Sequence, residues 1–201
     1  MQIYFSPASP FVRKVMVTAH ELGLADRLEK RPSAAHPVNR DKSIMAQNPL
    51  GQVPTLVTDD GRALYDSRVI CEYLNDLGRG TLFPSGEARW RALTEQALGD
   101  GMLAAAVLTR YETVVRPEDK RWDDWRSGQL DKVRTGLAES ESNAAGLDDR
   151  LDIGTITLGC ALGYLDFRYA DLDWRARHPQ AAAWFARFGA RPSMQATMPQ
   201  G

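Results

Sequence analysis

The sequence predicts two folds in one chain: an α+β domain of order βαβαββα over residues 1–77, then an all-α helical bundle over 87–201. Three observations predict this. Up to residue 77, short β-prone runs alternate with runs whose apolar residues recur at helical spacing. The stretch "LGRGTLFPSG" then interrupts the pattern with three glycines and a proline, marking a linker over 78–86. Past it, apolar positions recur at helical spacing and no segment alternates as a strand would.

Residues 2–5 are short and β-prone, and the chain turns at Ser6-Pro7. Val12, Val15, Met16, Ala19 and Leu22 then form one helix face, with Gly23 as its stop. A second strand over 28–31 completes a βαβ unit. Residues 40–47 suggest a short helix, ended by Asn48-Pro49 because the residue before proline avoids the α region. In "TLVTDDGRALYDS" two β-prone runs, Thr55–Thr58 and Arg62–Tyr65, flank Asp59-Asp60-Gly61, a hairpin in which Gly61 supplies positive φ. Val69, Ile70, Tyr73, Leu74 and Leu77 mark the last helix of this part. Helices follow over 87–113, 119–142, 152–169 and 179–189. The second is polar, with apolar marks at Trp122, Trp125, Leu130, Val133 and Leu137. The third is apolar nearly all round (Ile153, Ile156, Leu158, Ala161, Leu162, Leu165) and belongs at the centre of a bundle.

Composition excludes several function classes. The 201 residues carry a formal net charge of -1 with no massed basic segment, so neither nucleic acid nor an anionic membrane is an expected partner. The longest uncharged apolar run, Met102 to Leu108, is too short to cross a bilayer, and no signal-peptide pattern opens the sequence. Cys71 and Cys160 sit in helical apolar contexts, which suits a reducing cytoplasm rather than a disulfide framework. His20, His36 and His178 lack metal-ligand spacing, so no metal is expected.

The segment "YFSPASPFVRK", Tyr4 to Lys14, places three hydroxyls where a strand passes into a helix. Ser9 suits the N-cap and Pro10 the first helical position, a structural role that accounts for the pair by itself. A helix N-terminus also favours an anion. A serine hydroxyl can accept from the helix amides and still donate its proton outward. If the anion were a thiolate, lowering its pKa from roughly 8.5 by ~2 units would need about 2.7 kcal/mol, the order of one charge-assisted hydrogen bond plus a helix terminus. On local sequence both roles stay open.

Four stretches, in order and spanning nearly the whole chain, resemble the cytosolic-type glutathione transferases, and most closely their small bacterial serine-type members. "SPASPFVRKV" resembles the start of the family's thioredoxin-like N-terminal domain, and "NPLGQVPTL" (48–56) the loop with its cis-proline. "DSRVICEYL" (66–74) resembles the γ-glutamyl-binding turn, and "LDIGTITLGCALGYLDFR" (151–168) the helix of its folding motif. The resemblance implies glutathione as co-substrate. Ser9 would hold the thiolate, Arg13 following at the serine-class spacing; Tyr4, near the tyrosine-class place, is the rival and Ser6 a third candidate. The main chain of Val53 would pair with the cysteinyl unit, where a strand-opening proline is the structural alternative. Ser67 would bind the γ-glutamyl carboxylate and Asp66 the ammonium, either also serving as an ordinary N-cap. Gln52 would contact the glycine end; Arg40 or Lys42 would meet the glycyl carboxylate or remain solvated.

Asp100, by the same resemblance, would reach across a C2 homodimer; its alternative is a helix-surface carboxylate. The folding motif departs from the family's usual Ser/Thr…Asp order, with Asp152 as N-cap and Thr155 three residues on, a swap that still lets both side chains bond backbone amides. The implied reaction is attack of the glutathione thiolate on a small hydrophobic electrophile, of a transferase or detoxification type. The electrophile pocket would lie between the domains, lined by Phe11, Arg13, Met102, Ala106, Arg110, Tyr111 and Tyr164, with Arg110 able to meet an anionic substrate or a surface carboxylate. No cysteine stands at the Ser9 position, which argues against thiol-disulfide chemistry. A glutathione-dependent peroxidase and a non-catalytic interaction module are the alternatives.

Overall fold

The computed structural model describes residues 1–33, 35–148 and 150–201. They form two compact units, Met1–Ser85 with Arg191–Gly201, and Gly86–Ala190.

The first unit is built on a four-stranded sheet of order β2-β1-β3-β4. Its strands are β1 (Gln2–Phe5), β2 (Glu29–Pro32), β3 (Thr55–Val57) and β4 (Ala63–Leu64). β1 runs parallel to β2 and antiparallel to β3, and β3 antiparallel to β4. Parallel pairing of β1 with β2 requires a crossover, which α1 (Pro10–Glu21) supplies. Gly23 stops that helix at φ 66, and its N–H and that of Leu24 return to the carbonyls of His20 and Ala19. That pair of bonds is the Schellman ending for which a left-handed glycine is suited. The hairpin forms as expected but with shorter strands, because the Thr58 hydroxyl accepts from the Arg62 N–H and closes the loop early. α2 is confined to Lys42–Met45, and α3 (Ser67–Leu77) packs beside α1, with the Thr18 hydroxyl on Cys71 Sγ at 3.4 Å.

Residues 191–201, expected with the helical domain, belong instead to this unit. The physical reason is a set of long-range polar contacts. Arg191 forks onto Glu21 at 2.9 and 3.0 Å, Ser193 donates to the same carboxylate, and Arg13 donates to the Met194 carbonyl at 3.1 Å. These pin α9 (Pro192–Ala196) against α1.

The second unit contains α4 (Glu87–Val114), α5 (Asp123–Ser142), α6 (Ile153–Arg168), α7 (Trp174–Arg177) and α8 (Pro179–Gly189). α6 is buried from Ile153 to Leu165, the central position its all-round apolar sequence predicts. It lies very close to α4: a Cβ on Gly99 would stand 2.8 Å from the Thr157 methyl, and one on Gly154 2.8 Å from the Ala92 carbonyl oxygen. The swapped folding motif forms a complete capping box: Asp152 accepts from the Thr155 N–H and Thr155 Oγ1 from the Asp152 N–H, both at 3.0 Å. The free oxygen of Asp152 also takes Arg150, which reaches on to Glu95 at 2.6 Å.

Two outcomes follow from these contacts. Asp152→Ala should lose about 1–2 kcal/mol in urea denaturation, and Asp152→Ser distinctly less because it restores the cap. The Arg191 bond holds the Glu21 carboxyl below its ordinary value near 4.5. A lowered folded pKa stabilises above the unfolded value and is lost as pH falls through the folded one. Glu21→Gln should therefore speed amide exchange in α9 at pH 7, with the difference from the parent shrinking as pH falls below the ordinary glutamate range.

Candidate functional site

Strand polarity gathers the residues singled out in the first unit at one end of its sheet. β1 ends at Phe5 and leads through Ser6–Ala8 to Ser9. Because β3 is antiparallel, with Tyr4 opposite Thr55, its entry at Val53-Pro54 lies beside the exit of β1. β4 reverses again, with Leu56 opposite Leu64, so its exit into Tyr65, Asp66 and Ser67 returns to that same end. Two helix N-termini, of α1 and α3, open there. From β1 to β4 spans two strand spacings, about 10 Å, close to the length of an extended tripeptide.

Ser9 is the N-cap of α1, accepting the Val12 N–H at 3.3 Å, with Pro10 in the first turn. Its hydroxyl proton is committed to no acceptor among the described residues. Tyr4 differs. It is buried in β1 and its phenol donates to the Ser43 carbonyl at 3.1 Å, tying β1 to α2. A phenol whose proton is spent this way has none to offer a thiolate. The Ser6 carbonyl accepts the Ser9 N–H at 3.1 Å and shapes the turn.

The Val53-Pro54 peptide is cis, and the Val53 main chain makes no hydrogen bond among the described residues. The loop before it is locked by residues that sequence reading had not assigned a role. Asn48 is buried; its Oδ1 accepts from Leu50 N–H, and its amide donates to Thr55 Oγ1 at 2.9 Å. Thr55 in turn donates to the Gln52 carbonyl at 2.7 Å. The Asn-Pro pair was the available signal, since asparagine bonding two residues on is a turn-former. Gln52 itself is exposed. Arg40 is anchored on the Pro49 carbonyl at 2.6 Å, so it braces this loop, whereas Lys42 is exposed. Asp41 caps α2, and hydroxyl bonds from Ser33 and Ser43 lower its carboxyl to about 2.

Asp66 caps α3 through the Arg68 N–H at 2.9 Å and pairs with the Arg68 guanidinium, while Ser67 is buried at the first helical position. Asp100 is only 7% exposed on α4, so the surface-carboxylate alternative does not hold. Phe11 is half-buried in the first turn of α1. Arg13 is 7% exposed and lines a cavity of about 180 Å³ with Phe5, Ser6, Met16, Lys30 and Thr197.

In the second unit, Met102 and Ala106 are packed into the bundle core, Met102 against Gly136 of α5. Arg110 and Tyr111 are half-buried at the far end of α4, and Tyr164 is buried on α6. Arg168 and Tyr169, not expected from sequence, join them. The Tyr169 hydroxyl donates to the Ala106 carbonyl at 2.6 Å, and its ring meets Tyr164 edge-on at 6.4 Å. The signal was available: Arg168 lies one helical turn from Tyr164, on the same face. Burial raises the phenol pKa of Tyr111 and Tyr164 and pushes Tyr169 up to about 12. Among the described residues no group of three or more His, Cys, Asp or Glu could hold a metal, and no helix is long and apolar enough to cross a membrane.

A four-stranded α/β unit with a cis-proline loop and two helix N-termini at one sheet end, joined in sequence to a helical bundle, defines a glutathione transferase-type protein. Residues 8–77 match the family model for the glutathione S-transferase N-terminal domain, and residues 123–187 that for its C-terminal domain. The chain belongs to the glutathione S-transferase family. It is 47% identical to a glutathione transferase family member from Pseudomonas fluorescens Pf-5 solved with bound glutathione, over 100% of this chain and 99% of that one, at a TM-score of 0.96. A second structure from that organism, with bound S-(propanoic acid)-glutathione, is 46% identical over 100% of both chains at a TM-score of 0.91. The uncharacterized GST-like protein YibF of Escherichia coli (strain K12) is 29% identical over 99% of this chain and 98% of its own length.

The role given to Tyr4 is checked by stability. Tyr4→Phe removes one neutral hydrogen bond and should cost about 1 kcal/mol in thermal or urea unfolding. An unchanged midpoint would mean that the phenol does not hold α2.

Proposed function

We propose that the chain binds glutathione at the sheet end of its first unit and transfers the thiolate to a small electrophile. The observation that carries this reading is Ser9, a capping hydroxyl at the N-terminus of a full-length helix with its proton still available. The solved relatives that hold glutathione or a thioether of it support the reading. The Val53 main chain offers one rung of β-type pairing to the cysteinyl unit. Ser67 and the open N-terminus of α3 receive the γ-glutamyl carboxylate, and Asp66 its ammonium. Gln52 lies toward the glycyl end.

Chemistry then needs little from the protein. The Ser9 hydroxyl donates to the thiolate, and the terminus of α1 adds its partial positive charge. Together these supply about 2–3 kcal/mol, enough to bring a thiol from roughly 8.5 toward neutrality. The thiolate attacks a bound electrophile to give a thioether, with proximity contributing much of the rate. Two buried free cysteines suit a reducing, cytoplasmic setting. The homodimer reading rests on the family resemblance at Asp100, and light scattering of the purified protein tests it.

The deciding experiment titrates glutathione and follows bound thiolate by ultraviolet absorbance against pH. Ser9→Ala should raise the bound thiol's pKa by about 1–2 units and lower turnover of an aryl halide near neutral pH about tenfold or more. Tyr4→Phe should leave the pH dependence of the bound thiolate as in the parent. A Ser9→Ala variant with full turnover and a low thiol pKa would remove Ser9 from the mechanism. No binding at millimolar glutathione would sink the reading as a whole.

A further inference from the structure

The first unit contains the cavity of about 180 Å³ that Arg13 lines, and the thiol chemistry makes no use of it. None of Ser9, Val53 or Ser67 lines it. Its walls come from the end of β1, one face of α1, β2 and residues 196–200. Two cations stand in those walls on separate elements, Arg13 on α1 and Lys30 on β2, and no carboxylate does.

Neither cation makes an ion pair among the described residues. Arg13 is nearly buried; its guanidinium donates to the neutral Met194 carbonyl, and its Nε is buried without a hydrogen-bond partner. Lys30 Nζ stands 4.9 Å from the centroid of the Phe5 ring, itself part of the cavity wall. The carboxylates of the neighbouring elements are engaged elsewhere. Glu21, the one acid on α1, takes Arg191 and Ser193, and Glu29 of β2 takes the Gln2 side-chain amide at 3.1 Å. α9 carries no acid. A buried cation partnered only by a dipole is costly, and an anion in the cavity offsets that cost.

The same walls set the anion's body. The cavity is smaller than the roughly 300–1,000 Å³ of drug-sized ligand sites, so its occupant is short. Phe5, Val12 and Met16 reward a hydrocarbon or aromatic body, which inorganic phosphate or sulfate lacks. A guanidinium fork matches the two oxygens of a carboxylate, and an ammonium adds a point charge beside it. The Ser6 hydroxyl, which makes no hydrogen bond among the described residues, adds a neutral donor to the wall.

We propose that this cavity binds a small organic monocarboxylate, its charge held by Arg13 and Lys30 and its apolar body against Phe5, Val12 and Met16. Binding is reversible, and no covalent bond forms or breaks. Such an occupant touches α1, β2 and residues 196–200 together, so it also holds that segment to the sheet by mass action. The site does not depend on the glutathione reading.

The test titrates benzoate and its neutral isostere benzamide into the full chain, followed by the ¹³C-methyl resonances of the methionines. Benzoate should shift the methyls of Met16 and Met198, which line the cavity, and bind about tenfold or more tightly than benzamide. Lys30→Gln, at an exposed side chain, should cut that preference severalfold, and Lys30→Arg should keep most of it. Arg13→Gln should bring the preference to about one. Because Arg13 also holds the Met194 carbonyl, melting establishes that this variant is folded, and the Lys30 variants decide the matter if it is not. Arg187→Gln, which removes a surface charge paired with Asp148, should keep the parent preference. Equal binding of benzoate and benzamide by the parent overturns the proposal, as do unshifted Met16 and Met198 methyls or a parental preference in Lys30→Gln. Inorganic phosphate that displaces benzoate at equal concentration also overturns it, since the apolar walls would then contribute nothing. If glutathione binds and benzoate does not, only this site falls; if benzoate binds and glutathione does not, only the glutathione reading falls.

Discussion

The candidate thiol site depends on the polarity of three strands. β1 exits, β3 enters and β4 exits at the same end of the sheet, and only that alternation brings Ser9, Val53 and Ser67 to one end of it. Slipping β3 by one residue would exchange its faces and move Val53 along the edge. The register is therefore held from both sides. The main sheet contacts are Ile3 against Leu56 and Leu56 against Leu64, with Ile3 and Leu56 fully buried. On the loop side, Asn48 and Thr55 fix how the chain enters β3. Burial of two aliphatic residues, worth about 1.5–3 kcal/mol each, thus sets the position of main-chain atoms that carry no side-chain signature.

Capping is the second recurring device, and the caps differ in what they leave over. Asp41 and Asp66 each spend a carboxylate on backbone N–H groups and on a second partner. Asp152 is engaged twice, by its own helix and by Arg150. Ser9 alone among these caps has a proton to give, because it is the only hydroxyl. An aspartate there would cap the helix as well and repel a thiolate. The residue type at that position therefore separates a structural terminus from one suited to holding an anion.

Much of this was legible in the sequence, for definite reasons. The hairpin showed itself through Asp-Gly, the first helix through Ser-Pro and a terminal glycine, and the central helix through an apolar surface on every side. Each is a local rule of turn or cap chemistry. What escaped was long-range and polar. α9 has five residues and too few apolar positions to announce itself, and it is held by Arg191 and Ser193 reaching Glu21, a pairing across 170 residues of sequence. Arg168 and Tyr169 escaped because a helix end reads as solvated surface, and only the close packing of α6 on α4 brings them to Arg110. The caps at Ser9 and Asp66 were readable; the locks at Asn48 and Thr55 were hidden because the two side chains bond each other and the loop's own backbone.

The two units hold their polar groups by different physics. At the sheet end, main-chain groups and helix termini do the work proposed for glutathione, and these tolerate change in the flanking side chains. In the bundle the groups are side chains, and Arg110 and Arg168 make no ion pair among the described residues. A protein selected for stability alone would gain by replacing Arg168 with an apolar residue beside Phe167, since a buried guanidinium nitrogen without a partner costs on the order of 1–3 kcal/mol. Carboxylates stand two residues from each arginine, yet both are bound to other cations.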